Sequence, residues 1–341
     1  MRAAILRGAG DLGVDTVPDA AVETPTDAVV RVVAAGICGT DLRGYAGQPG
    51  PVQGPRCGHE FVGVVTETGT DVRTLRRGDL VVSPFMFSDG VCGPCGRGVP
   101  SSCRSGGMFG VDAGGGQAEA VRVPFADTTL VPVRASPDDE RVPALLALAD
   151  VMATGTHAIA SAGLHRGAAV AVVGDGAVGL CAVLAAHRAG AERVFLLGRH
   201  PRRLEIGKAF GATDLVTTRG EEAHAAIAEA TGGVGVDLVV DAVGEQAALD
   251  TAMAVVADGG ALALVGGPHG GVNAMLCFLR NIRVAGGLAP SRAYLPALVD
   301  QVLSGALDPS PVFDLAVSLD DVASGYRAMA DRSATKVLVR P

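Results

Sequence analysis

Tryptophan is absent from this 341-residue chain, and aromatic residues make up only 4% of it. The cores must therefore be filled by Ala, Val and Leu, so an aromatic side chain near a pocket would matter for the shape of what binds there. Basic runs are missing as well: no stretch of consecutive Lys or Arg exceeds two residues, and the formal net charge is -8. Neither nucleic acid nor an anionic membrane surface is expected as a partner. No run approaches the ~18 apolar residues of a membrane span. The opening Met1-Arg2-Ala3-Ala4-Ile5-Leu6 gives way to Gly and Asp too soon for the apolar core of a signal peptide. A cytoplasmic location is the expectation. Cysteine is scarce and odd in number, seven in all, with three inside a twelve-residue stretch. That pattern suits metal ligation in a reducing compartment better than a disulfide framework. Cys181 and Cys277, in apolar surroundings, read as inert core thiols.

What is present is a globular composition, 48% hydrophobic and 19% charged, long enough for about two domains. Up to about Pro132 the chain shows short β-rich runs broken by Gly, Pro and Asp: Arg2 to Leu6, Ala28 to Ala34, Phe61 to Thr66, Asp79 to Ser83 and Ala118 to Val123. This spacing predicts a small antiparallel barrel or sandwich. From about Ala144 the texture becomes helical. It then alternates strand (Ala168 to Val173), helix (Val178 to Ala189), strand (Arg193 to Leu197), helix (Arg202 to Phe210), with further strands at Leu238 to Ala242 and Ala261 to Val265. That alternation predicts a doubly wound parallel sheet. The last ~50 residues make a poor independent core and are expected to return to the first domain. The expected boundaries are 1–151, 152–288 and 289–341.

Three segments of the first half carry metal-ligand chemistry: Cys38-Gly39-Thr40-Asp41, Gly58-His59-Glu60 and Asp150. A catalytic zinc takes three protein ligands of mixed N, S and O type and keeps one position open, and Cys38, His59 and Asp150 supply that set. Taken singly, each has a plainer reading, as a buried small hydrophobe, a core histidine and a helix cap. Asp150, however, follows Leu145-Leu146-Ala147-Leu148-Ala149, where an unpaired carboxylate would be costly and a nearby cation explains it. Glu60 is either an alternate ligand or a carboxylate behind the ligands. Asp41 is placed to accept the remaining N–H of His59. Cys57, two residues before His59, is a rival ligand on an extended segment. A second group, Asp89, Cys92, Cys95 and Cys103, has the four-ligand count of a structural zinc, the alternative being a metal-free lobe with Asp89 solvated.

The run Gly174-Asp175-Gly176-Ala177-Val178-Gly179 follows the apolar strand Ala168 to Val173 and opens a helix. In that context it reads as a dinucleotide fingerprint: Gly174 for the turn, Gly176 for approach to the pyrophosphate, Gly179 for close helix packing, with Ala177 and Val178 at the helix N-terminus. An acidic residue at the end of the second strand would bind a ribose 2'-OH and repel a 2'-phosphate. Here the strand ends Leu197-Gly198-Arg199-His200. With Gly198 where a carboxylate would stand, nothing in that loop is expected to repel a 2'-phosphate, and Arg199 can pair with one. NADP(H) is favoured over NAD(H). The plainer alternative is that Arg199 and its neighbours are solvated helix-start charges.

The segments Gly36-Ile37-Cys38-Gly39-Thr40-Asp41, Gly58-His59-Glu60 with Gly63, Arg77-Gly78-Asp79 with Val81-Val82, and the later Gly-rich run resemble the zinc-dependent alcohol dehydrogenases of the medium-chain dehydrogenase/reductase superfamily, in order over essentially the whole chain. The resemblance implies a GroES-like β-barrel catalytic domain, a Rossmann cofactor domain, and a homodimer or homotetramer acting on a small-molecule substrate. It implies reversible oxidation of an alcohol to an aldehyde or ketone. Cys38, His59 and Asp150 would hold the catalytic zinc; Leu148 to Gly155 resembles the branch with Asp in the third place. Asp89, Cys92, Cys95 and Cys103 keep the family's separations of three, three and eight, with Asp replacing the first Cys. Thr40 would begin the proton relay, but the usual relay His is replaced by Arg43, which cannot act as a base. Nicotinamide contacts would come from Thr154, from Val265 to Gly267, and from Gly287 and Leu288. Two rival functions stay open: reduction of an activated C=C or iminium bond, and a non-enzymatic NADP(H)-sensing or scaffold role.

Overall fold

The computed structural model describes residues 1–48, 56–267 and 270–341. Its contacts divide the chain into two compact units. Met1–Ala153 and Pro290–Pro341 form the first, and Thr154–Ala289 the second.

The first unit is built on a seven-stranded sheet. Along its main path the strands lie in the order Leu315–Ser318, Val337–Arg340, Ala28–Ile37, Phe61–Thr68, Leu80–Ser83 and Val131–Val133, and Ala120–Val123 pairs with Ala28–Ile37. Pairing is antiparallel except between Leu315–Ser318 and Val337–Arg340. The C-terminal segment thus returns to the first unit by inserting Val337–Arg340 beside the long strand that ends at Ile37. Val30, Val32, Ile37, Phe61, Val65, Val81 and Val337 are buried in its core with Tyr326. Gly63 sits where neighbouring chain leaves no room: a Cβ there would lie 2.4 Å from the carbonyl oxygen of Arg31.

The second unit is a six-stranded parallel sheet in the order Asp214–Val216, Arg193–Leu197, Ala169–Val173, Val236–Asp241, Val256–Leu264, Arg283–Gly286. The sequence-order reversal beside Ala169–Val173 is the topological switch point at which such sheets bind ligands. Helices Gly220–Ala230, Gln246–Val255 and Ala274–Arg280, and the strands Asp214–Val216 and Arg283–Gly286, are additions to the sequence reading. Among the described residues no single helix is long and apolar enough to cross a membrane. Val142–Leu148 and Val151–Ala162 pass such a test only as a pair, bent by 47°.

Candidate metal and dinucleotide sites

The strand Ala28–Ile37 delivers Cys38 to the N-cap of the short helix Gly39–Tyr45, where its backbone N–H donates to Asp41 Oδ2 at 2.9 Å. His59 and Glu60 immediately precede the strand Phe61–Thr68, which pairs with Ala28–Ile37. Asp150 occupies the break between helices Val142–Leu148 and Val151–Ala162, so its carboxylate leaves the chain at a corner. These elements bring ligand atoms of Cys38, His59, Glu60 and Asp150 within 4.8 Å of one another. Asp150 Oδ2 lies 3.4 Å from both Cys38 Sγ and His59 Nε2, and Glu60 Oε1 lies 3.8 Å from His59 Nε2.

The electrostatics of this cluster call for positive charge at its centre. Burial pushes the Cys38 thiol up, and the Asp150 carboxylate pushes it further. Burial opposes the charged form of His59, yet Asp41, Cys38 and Asp150 hold the imidazole well above its ordinary value. A divalent cation bound by a thiolate, an imidazole and carboxylates answers both demands. Thr40 Oγ1, two residues beyond Cys38 in the chain, is buried and has no hydrogen-bond partner among the described residues.

Around the cluster lies a buried polar shell that is only partly visible in the sequence. Asp41 Oδ1 is 3.4 Å from His59 Nδ1, near enough to orient the ring electrostatically although neither atom has a hydrogen-bond partner among the described residues. Gln117 Nε2 donates to Gly36 O at 2.9 Å and to Asp41 Oδ2 at 3.4 Å, and Tyr326 OH donates to Gln117 Oε1 at 2.9 Å. Lys336 Nζ lies 2.7 Å from Glu60 Oε1 and donates to Ile37 O at 3.3 Å. Gln117, Tyr326 and Lys336 escape sequence reasoning because each arrives from a distant element. Cys57 is outside the ligand cluster; its thiol partners Tyr326, and burial pushes it up to about 12.

Asp89, Cys92, Cys95 and Cys103 also bring their ligand atoms within 4.8 Å of one another. Cys92 Sγ is 3.5 Å from Cys95 Sγ and 3.7 Å from Cys103 Sγ. Asp89 Oδ1 accepts from the backbone N–H groups of Val91 and Cys92 at 2.9 and 3.0 Å. These bonds hold its carboxyl well below the usual carboxylate range. Backbone N–H groups of Cys95 and Arg104 lower the Cys92 thiol in the same way, favouring the thiolate that binds zinc.

In the second unit Gly174 has φ +112°, a value suited to glycine, and Gly176 caps the helix Ala177–Arg188 without a side chain in the way. A Cβ on Gly179 would stand 1.9 Å from the carbonyl oxygen of Gly174, so only glycine lets this helix start so close to the turn. Ala177, Val178 and Gly179 form its first turn, whose N–H groups have no partner within the helix. Gly286 and Gly287 also have positive φ. Gly286 is tied to the helix Val151–Ala162: its N–H donates to Ser161 Oγ at 3.1 Å, and its carbonyl accepts from His157 Nε2 at 3.1 Å. Leu288 is exposed beyond this turn, Thr154 is buried, and Val265 N–H donates to Asp241 O at 3.0 Å.

The loop after Arg193–Leu197 corrects one expectation. Position 198 has no carboxylate of its own, but one is there nonetheless, supplied by Asp175 of the Gly-rich turn. Asp175 Oδ2 accepts from Arg199 N at 2.8 Å and His200 N at 2.9 Å, with His200 Nδ1 2.9 Å away and Arg203 Nη1 3.7 Å from Oδ1. Burial pushes the Asp175 carboxyl up, but the His200 and Arg199 bonds outweigh that and lower it.

Comparison with known proteins agrees with both halves of the chain. Residues 24–134 match the alcohol dehydrogenase GroES-like domain, and residues 177–304 the zinc-binding dehydrogenase family. A probable zinc-binding alcohol dehydrogenase of Mycobacterium tuberculosis is 39% identical over 98% of this chain and 86% of its own length. The NADP-dependent isopropanol dehydrogenase of Thermoanaerobacter brockii is 32% identical over 93% of this chain and 92% of its own. Among solved structures, the alcohol dehydrogenase of Thermus sp. ATN1 superposes with a TM-score of 0.91 at 31% identity, covering 100% of this chain and 99% of that one. The first unit is accordingly the GroES-like domain and the second the Rossmann domain of a two-domain α/β fold. The chain belongs to the zinc-dependent alcohol dehydrogenases of the medium-chain dehydrogenase/reductase superfamily.

Proposed function

We propose that this enzyme interconverts an alcohol and its aldehyde or ketone with NADP(H) as the preferred hydride carrier. Cys38, His59 and Asp150 are the proposed ligands of a catalytic zinc, with Glu60 as a reserve ligand. Asp89, Cys92, Cys95 and Cys103 are the proposed ligands of a structural one. The observation that carries the reading is the convergence of one thiol, one imidazole and two carboxylates within 4.8 Å, with the Thr40 hydroxyl, two residues beyond Cys38 in sequence, buried without a partner among the described residues. When bound, zinc would supply Lewis acidity at the substrate oxygen and the nicotinamide would exchange hydride with the substrate carbon.

The chain's own residues supply the rest. Thr40 Oγ1 would take the alcohol proton, since it has no competing partner among the described residues. Asp41, capping Cys38 through its N–H and facing the imidazole of His59, would keep both ligands in register. Arg43 cannot finish the proton path as a base, so the proton would leave through water. First-turn N–H groups of Ala177, Val178 and Gly179 would receive the pyrophosphate. The NADP(H) preference is supported by Gly198, by the exposed Arg199 guanidinium, and by analogy with the NADP-dependent relative. A homodimer or homotetramer in the cytoplasm is the proposed working form. Its support is the edge strand Arg283–Gly286 and the exposed Met275, Phe278 and Leu279 of the neighbouring helix.

Metal analysis combined with a screen of alcohols and carbonyls tests the reading. Two zinc ions per chain are expected. Asp150→Asn should abolish alcohol turnover while leaving dinucleotide binding largely intact, because the two sites belong to different units. NADPH consumption that survives Cys38→Ser would instead mean reduction of an activated C=C or iminium bond.

A further inference from the structure

The carboxylate of Asp175 sits where a side chain at position 198 would have to go. A Cβ built on Gly198 would lie 2.5 Å from Asp175 Cβ and 2.7 Å from its Oδ2. In dinucleotide-binding sheets an acidic side chain at the end of the second strand presents free oxygens to the adenosine ribose diol. Asp175 brings the same functional group to that strand end from the opposite direction, and its oxygens are already engaged. Oδ2 accepts two backbone N–H groups, of Arg199 and His200. A carboxylate can only accept, so the His200 ring nitrogen at 2.9 to 3.0 Å from both oxygens must be the donor. Arg203 Nη1 adds positive charge at 3.7 Å. Asp175 is 7% exposed, so water cannot compete freely for these bonds.

We infer that Asp175 is the positioning residue for cofactor choice: it fills the place of a diol-binding acid with an inward-turned carboxylate and fixes the Gly198–His200 loop so that Arg199 meets a ribose 2'-phosphate. This rests on the NADP(H) reading given above and explains how that preference can coexist with a carboxylate at the strand end. Arg203 brings positive charge to it, and the bonds it accepts from Arg199 N, His200 N and the His200 ring tie it to the loop. The exposed Arg199 guanidinium, which makes no side-chain hydrogen bond or ion pair among the described residues, remains available to a phosphate. The arrangement also means that Gly198→Asp alone cannot create an NAD(H) site, because the new side chain would meet Asp175.

Equilibrium titration of the zinc-loaded protein with NADPH and with NADH, read by dihydronicotinamide fluorescence, tests this without reference to turnover. The readout is the ratio of the two Kd values. Wild type should favour NADPH. Asp175→Ala should reduce that ratio about tenfold or more, mainly by weakening NADPH, since a charge-assisted contact to phosphate is worth one to two orders of magnitude. Asp175→Asn keeps the size and one acceptor for the loop amides, so it guards against a folding failure, and it should reduce the ratio by a smaller factor. Asp175→Ala combined with Gly198→Asp should reverse the preference toward NADH, whereas Gly198→Asp alone should weaken both cofactors. A ratio unchanged in both Asp175 variants, or a loss shared equally by NADPH and NADH, overturns the inference while leaving the cofactor reading standing. Wild-type preference for NADH sinks the cofactor reading and this inference with it.

Discussion

Lys336 and Glu60 form an ion pair of 2.7 Å between side chains that are 1% and 0% exposed. Burial alone would discharge the lysine, but the Glu60 carboxylate, with Cys38 and Asp150 beyond it, holds its ammonium above its ordinary range. Glu60 belongs to the candidate ligand cluster, so Lys336, just before the strand Val337–Arg340, fastens the C-terminal segment to that cluster. Lys336 engages only Oε1 of Glu60, while Oε2 is buried with no hydrogen-bond partner among the described residues.

Lys336→Met should therefore cost about 3–5 kcal/mol, because it leaves a buried carboxylate without its cation. Adding Glu60→Gln should recover a substantial part of that loss, since a neutral pair tolerates burial better than an orphaned charge. Urea denaturation of the zinc-loaded proteins measures both. A loss well below ~1 kcal/mol in the single variant would mean that Glu60 is not held as a carboxylate.

A second buried acid bears on acid stability. Asp27 is 0% exposed, accepts from Thr24 N at 2.8 Å, Glu23 N at 3.0 Å and Thr24 Oγ1 at 2.7 Å, and pairs with Arg122 Nε at 2.7 Å. Burial pushes its carboxyl up, but Arg122 and the Thr24 and Glu23 bonds prevail and hold it below the usual range. A folded-state value below the unfolded one stabilises the fold above the unfolded pKa of about 4, and the contribution is lost as pH falls through the folded value. Asp27→Asn should cost about 1–3 kcal/mol at neutral pH. The gap to wild type should shrink as denaturation is repeated below pH ~4; a gap that stays constant with pH would rule out the ionised form as its source.

What the sequence disclosed and what it withheld follow a physical division. Cys38, His59 and Asp150 announce themselves by residue type in short local contexts, and Gly174, Gly176 and Gly179 by spacing after an apolar strand. Those signals are local and survive without knowledge of the fold. Lys336 approaches Glu60 across 276 residues of chain, and Tyr326 reaches Gln117 across 209. No periodicity or spacing encodes such meetings. Asp175 was in plain view as a variable residue of the fingerprint, but its role depends on which way its carboxylate turns. The strand Val256–Leu264 begins five residues before the expected Ala261: Val256 pairs with Val236 and Ala261 with Leu238, and the register shifts between them where Gly259 takes φ +78°. Helix Gly220–Ala230 carries a weak apolar face, of which Ala223 and Ile227 are the buried residues, and so offers little pattern to detect.

The Gly-rich turn yields a prediction with a sharp steric cause. At Gly179 the obstructing atom is the backbone oxygen of Gly174, 1.9 Å from where a Cβ would stand, and backbone cannot yield as a side-chain tip can. Gly179→Ala should force the first turn of Ala177–Arg188 away from the strand and weaken binding of both NADPH and NADH by about tenfold or more, equivalent to ~1.4 kcal/mol. Titration of each cofactor checks this. Unimpaired binding would mean that the phosphates do not rest on this turn.

The Asp89 carboxylate has two jobs that a conservative substitution separates. Its Oδ1 accepts the N–H groups of Val91 and Cys92, which shapes the turn carrying the first thiol, and its charge would complete the ligand set with Cys92, Cys95 and Cys103. Asp89→Asn keeps an acceptor for the two amides but removes the negative charge that would bind zinc. If the carboxylate is a ligand, Asp89→Asn should surrender the proposed structural zinc to a chelator about as readily as Asp89→Ala, at least tenfold faster than wild type, while the zinc proposed at Cys38, His59 and Asp150 is unaffected. If Asp89 only shapes the turn, the Asn variant should retain zinc as wild type does and only the Ala variant should lose it. Competition with a chromogenic chelator distinguishes the two outcomes, and the first is expected, because the backbone bonds that hold the Asp89 carboxyl below its ordinary range also keep it in the ionised form that zinc requires.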